Sequence, residues 1–122
     1  MTQNKRNKQP VARKSVARAI LTNIHALRER RYVGDVGAID TLLDFETAVK
    51  HAKLTERQSE AIRLKYDVGL TQKEAAQVMG VAPSTLSELI SRATNEIDEV
   101  YEYWAWLDGE LSVEDLAEEE IL

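Results

Sequence analysis

A chain of 122 residues, 43% of them hydrophobic, has room for one small domain with a core of its own and an accessory helical segment. It has no cysteine and only two histidines, His25 and His51, far apart, which excludes a disulfide framework or a thiolate metal site; no metal and no other cofactor is expected. Its apolar runs are too short for a membrane span, and the net charge of -5 conceals an asymmetry: residues 1–31 hold nine Lys/Arg against one acid, and residues 96–122 hold eleven acids and no base.

Residues 1–12, opening MTQNKRNKQP and closed by Pro10, are polar and basic, and are read as a disordered arm. No apolar region follows the arm's charges, so no secretory signal is read, and a soluble cytoplasmic protein with no membrane partner is expected. Residues 13–53 form an N-terminal helical segment in this reading. Val16, Ile20, Ile24 and Leu27 recur at helical spacing and predict one basic amphipathic helix from Arg13 to about Arg30. YVGDVG breaks the pattern, and a helix from about Asp35 to Ala52 presents Val36, Ile39, Leu42, Leu43, Phe45 and Val49 as a wide core face.

Residues 54–107 carry stronger punctuation. Thr55 with Gln58 and Thr71 with Glu74 are both capping boxes, opening helices that Gly69 and Gly80 close. Pro83 suits the first turn of a third helix, where its missing N–H is no loss. That helix is expected to run on through Leu86, Leu89, Ile90, Ala93, Ile97, Val100, Tyr101 and Trp104 until Asp108 and Gly109 interrupt it. The aromatics of VYEYWAW are expected to close the core, with a partner-binding or dimer-forming patch as the alternative reading. Residues 108–122 are read as an acidic tail or helix with Val113, Leu116 and Ile121 on one side; Glu118, Glu119 and Glu120 point apart and cannot enclose a metal. The acidic end is expected to restrain binding of DNA by the basic end, with docking to a partner as its alternative role. The fold class is therefore all-α.

Within LTQKEAAQVMGVAPSTLSELISRA lies the pattern of a helix-turn-helix: a small residue at the helix crossing (Ala76), a turn glycine four residues on (Gly80), then inward Leu86 and Leu89, with Met79 and Val81 around the turn. This spacing leaves Ala82, Pro83, Ser84, Ser87, Glu88 and Ser91 on the outer face, and Thr71, Gln72 and Lys73 at a helix N-terminus where N–H groups favour a phosphate.

The longer stretch LTERQSEAIRLKYDVGLTQKEAAQVMGVAPSTLSELISRA, Leu54 to Ala93, resembles region 4 of the sigma-70 family, the C-terminal helix-turn-helix of bacterial transcription initiation factors and of sigma-like regulators in bacteriophages and prophages. The resemblance rests on LTERQ, IRLKY, LTQKEAA, MGV at the turn and STL entering the reading helix. It implies double-stranded DNA as partner, with RNA polymerase as a second partner on a neighbouring surface. It places Pro83, Ser84, Ser87 and Glu88 at bases, Thr85 and Arg92 beside the backbone, and Arg57 and Lys73 on phosphates. Serine donates to and accepts from several base edges, and glutamate accepts from cytosine N4, so such a face reads sequence, though weakly without arginine. The DNA-opening module of full sigma factors is not found in the helices from Arg13 to Ala52.

The function expected is sequence-specific DNA-binding regulation of transcription, encoded by a phage or mobile element and acting in the bacterial host cytoplasm. The alternatives are an adaptor binding RNA polymerase or another transcription protein, and a small terminase-like subunit of phage DNA packaging. No nucleophile–base pairing, glycine-rich phosphate loop or ligand cluster suggests an enzyme. A homo-oligomer stays open, as does the choice between activator and repressor.

Overall fold

The computed structural model describes residues 14–110. The basic arm of residues 1–12 and the acidic segment from residue 111 onward lie outside the described residues, as does Arg13. Six α-helices and one π-helical segment follow in order: α1 Val16–Thr22, α2 Ile24–Tyr32, α3 Val36–Ala52, α4 Glu56–Ile62, the π segment Arg63–Val68, α5 Gln72–Met79 and α6 Pro83–Glu110. No strand occurs among the described residues, so the fold is all-α as expected.

The single helix expected from Arg13 to Arg30 is two helices. Asn23 separates them at φ -107°, ψ 19°, and its side-chain amide donates to the Ala19 carbonyl at 2.8 Å, an example of a short polar side chain offering the backbone an alternative to the helix. The N-terminus of α1 is satisfied twice: Ser15 Oγ accepts the Arg18 N–H at 3.0 Å, and buried Asp98 on α6 accepts the Ala17 N–H at 2.9 Å. Helix α3 starts at Asp35, whose carboxylate accepts the Ala38 N–H. Its face is narrower than expected. Leu42 and Phe45 are buried with Ala38 and Ala48 and Val49 is half-buried, but Val36 and Leu43 remain 68% and 58% exposed and Ile39 also faces outward. The alanines supply the inward positions that a count of large apolar residues passed over.

Both capping boxes form. Thr55 and Gln58 bond reciprocally at 3.1 and 2.9 Å, and Thr71 and Glu74 at 3.1 and 3.0 Å. Gly80 closes α5 at φ +70°. The Val81 N–H returns to the Ala76 carbonyl at 3.0 Å and the Gly80 N–H to Gln77 at 3.1 Å, the paired bonds of a Schellman ending. Gly80→Val is therefore expected to lose roughly 1–3 kcal/mol, since a β-branched residue is strained at positive φ. Chemical denaturation followed by circular dichroism measures the loss; an unchanged midpoint would mean the turn tolerates a Cβ branch.

Helix α6 spans 28 residues, roughly 42 Å at 1.5 Å per residue, and it continues through Asp108 and Gly109 rather than stopping there. One glycine costs a helix only about 1 kcal/mol, which a long, packed helix absorbs. Two apolar clusters line α6. The first joins Ala61, Leu64, Ala75, Ala76, Leu86 and Ile90, with Met79, Val81 and Leu89 against it. The second joins Ala17, Leu21, Phe45, Ala48 and Ile97, with Tyr101 and Trp104 against it, while Tyr66 packs on both. Tyr101 and Trp104 thus close the core as expected, but Tyr103 and Trp106 are exposed and stack at 6.1 Å. Burial, with Asp44 and Asp98 adding negative charge, pushes the Tyr101 hydroxyl up to about 12.

The π segment is the element that periodicity did not show. It sets the Tyr66 carbonyl where the His25 Nε2–H donates to it at 3.1 Å, and Asp67 where Arg28 pairs with it at 2.6 Å. Cationic and donor groups of α2 thereby meet the negative C-terminal end of the α4–π helix. Arg28 holds the Asp67 carboxyl below its ordinary value, so that pair contributes above about pH 4 and is lost as pH falls through the lowered value.

Candidate nucleic-acid interface

Helices α5 and α6 cross where Ala75 and Ala76 face Leu86, all buried to within 2%. Alanine at the crossing lets the two backbones approach, and Leu86 fills the angle between them. The crossing is fastened from outside by Gln72, whose Nε2 donates to the Pro83 carbonyl at 2.9 Å. Gln72, read as a phosphate ligand, thus also has a structural task in tying the two helix N-termini together. Thr71 sits beside it with its hydroxyl and its own N–H committed to Glu74. Both occupy an exposed N-terminus with Lys73, where the Glu74 carboxylate already supplies negative charge to the first turn.

On α6 the inward positions Leu86, Ile90, Ala93 and Ile97 are buried, which turns Pro83, Ser84, Thr85, Ser87, Glu88 and Arg92 to solvent. Thr85, Glu88 and Arg92 share one shallow crevice with Thr55 and Arg57 at the start of α4. The residues named for the backbone, Arg57, Thr85 and Arg92, are therefore brought together on the α4 flank of the reading helix. Lys73 lies apart, on α5. Within the crevice Arg92 pairs with Glu88 at 3.0 Å, but both side chains are more than 60% exposed. A pair this wet contributes less than about 1 kcal/mol, and an incoming phosphate or base competes for either partner.

Ser91 differs from its neighbours. It is half-buried, and its Oγ accepts a hydrogen bond from Arg18 Nη2 of α1 at 3.1 Å. Sequence reasoning missed Arg18 because 73 residues separate it from Ser91; the arginines on the outer side of the first predicted helix were the available signal. Among the described residues no group of three His, Cys, Asp or Glu side chains is placed to hold a metal ion, and no helix is long and apolar enough to cross a membrane.

The pair of capping boxes, the Schellman turn at Gly80, the alanine crossing and the exposed face of α6 together build a helix-turn-helix. Comparison with protein-family models matches residues 48–96 to the family described as Sigma-70, region 4. Comparison with curated proteins and with solved structures finds no match. The matched span runs from the end of α3 through α5 and the first half of α6, so the observed turn and the exposed first turns of α6 fall inside it, while α1, α2, most of α3 and the rest of α6 fall outside. Residues 48–96 form a helix-turn-helix domain similar to region 4 of sigma-70, a DNA-binding module.

Proposed function

We propose that the chain is a sequence-specific, DNA-binding regulator of transcription that seats the first turns of α6 in the major groove of duplex DNA. The observation that carries this reading is the exposed, hydroxyl-rich face of Ser84, Ser87 and Glu88 on a helix whose opposite side is buried and whose flank carries Arg57 and Arg92. Ser84, Ser87 and Glu88 contact base edges; Arg57, Thr85 and Arg92 hold one phosphate strand; Lys73, with Gln72 and Thr71, meets the backbone at the start of α5. The cytoplasmic setting and the phage or mobile-element origin implied by the resemblance belong to the same reading. An adaptor role on RNA polymerase or another transcription protein is a second reading, favoured by the exposed stacked pair Tyr103 and Trp106 on the acidic half of α6.

Selection of bound fragments from a random duplex pool tests the first reading. Ser87→Ala and Glu88→Ala are expected to change the selected sequence while shifting stability by less than about 0.5 kcal/mol, as surface positions do. Glu88→Ala also frees Arg92, so affinity for random duplex is expected to rise. Unchanged selections in both variants, with folding intact, would contradict the assignment of this face to bases.

A further inference from the structure

The stripe that begins as the reading face does not stay in solvent. Ser84, Ser87, Ser91 and Asp98 follow one another at steps of three, four and seven residues, so they lie along one side of α6. Ser84 and Ser87 are exposed, Ser91 is half-buried and Asp98 is buried. What covers the stripe is the start of α1: the Ala17 N–H bonds to Asp98, and the Arg18 guanidinium reaches back to Ser91. Those two attachment points lie seven residues apart on α6, about 10 Å along its axis. The Arg18 side chain therefore runs along α6 toward the bases that Ser87 would read. Only one of the five guanidinium donors is spent on Ser91, and the side chain is exposed. Lys14, also exposed, stands at the same end of α1.

The α4 flank of the reading helix already carries Arg57 and Arg92; Arg18 stands at Ser91, toward the C-terminal end of the serine stripe, where α1 covers it. A helix with its side chains is about 10–12 Å across, close to the roughly 12 Å width of the major groove, so a cation at the edge of its groove-facing side lies within reach of a phosphate wall. We propose that Arg18, with Lys14 behind it, is a DNA-backbone contact at the α1 end of the reading face, making α1 a second DNA-binding element outside the matched family domain. This rests on the reading of α6 as a groove-seated helix. It explains how a reading face without arginine keeps counterion release: the cations come from α1 and α4.

The test is a salt titration of binding to a random-sequence duplex, with folding monitored by circular dichroism, for the full chain and for Arg18→Gln and Arg18→Lys. Arg18→Gln keeps a donor for Ser91 but removes the charge. Its slope of log affinity against log salt is expected to be shallower by about 0.9, equivalent to one lost phosphate contact. Arg18→Lys is expected to keep the wild-type slope. A wild-type slope in folded Arg18→Gln, or tighter binding by that variant, would overturn the proposal and make α1 a bystander or an obstruction. If Arg18→Gln fails to fold, Lys14→Gln decides: a slope shallower than wild type upholds the proposal and an equal slope overturns it. Should the wild-type chain itself bind duplex with no salt dependence, the groove-seated reading fails, an outcome distinct from loss of the α1 contact alone.

Discussion

Leu86→Ala is expected to destabilise the protein by about 2–5 kcal/mol, toward the upper end of that range. Leu86 is fully buried at the crossing of α5 and α6, and half of its cluster consists of alanines, Ala61, Ala75 and Ala76. Alanines have no longer side chain to swing into the gap, so the cavity left by the substitution stays open. Against a usual total of about 5–15 kcal/mol, this is a large fraction of the stability. Urea unfolding followed by helical circular dichroism gives the number, and duplex binding should fall in step with the folded fraction. Leu86→Met, nearly volume-conserving, is expected to cost less than about 1.5 kcal/mol. A loss below 1 kcal/mol for Leu86→Ala would mean the crossing is not packed as described.

Phe45→Ala is expected to cost about 3–5 kcal/mol, and the shape of its unfolding curve matters as much as its midpoint. Phe45 is 7% exposed and packs with Ala17, Leu21, Ala48 and Ile97. Ile97 belongs to α6, and Tyr66 touches both clusters, so the N-terminal helices and the helix-turn-helix share one spine. A single cooperative transition is therefore expected for the wild type and for the variant. Two separated transitions in Phe45→Ala, with the helix-turn-helix melting at its wild-type midpoint, would show that the N-terminal helices fold as an independent unit.

The parts of this fold that were legible in the sequence are those set by local chemistry. Thr55 with Gln58, Thr71 with Glu74, Gly80 and Pro83 each specify a helix end within four residues, and each end forms where those residues place it. Less legible were features decided at long range. The start of α1 is fixed by Asp98, 81 residues from Ala17, whereas the break at Asn23 comes from its own amide taking the Ala19 carbonyl, a local alternative that apolar spacing does not register. Periodicity placed Val36 and Leu43 in the core because it scored size, whereas the buried positions include the small Ala38 and Ala48, the latter packed with Ile97 of α6. The π segment Arg63–Val68 adds a residue to each turn without altering the apolar pattern, so nothing in the spacing announced it. For the site, the outward serines followed from the positions of Leu86 and Leu89, but Arg18 came to Ser91 only through tertiary packing.

The measurement that meets the central claim most directly is amide chemical-shift mapping by NMR as a selected duplex is added to the full chain. The largest perturbations are expected on Ser84, Ser87, Glu88 and Ser91, with smaller ones at Arg57, Arg92 and Arg18 and little change at Tyr103 and Trp106. Perturbations centred on Tyr103 and Trp106, or none on the first turns of α6 at saturating duplex, would contradict that claim.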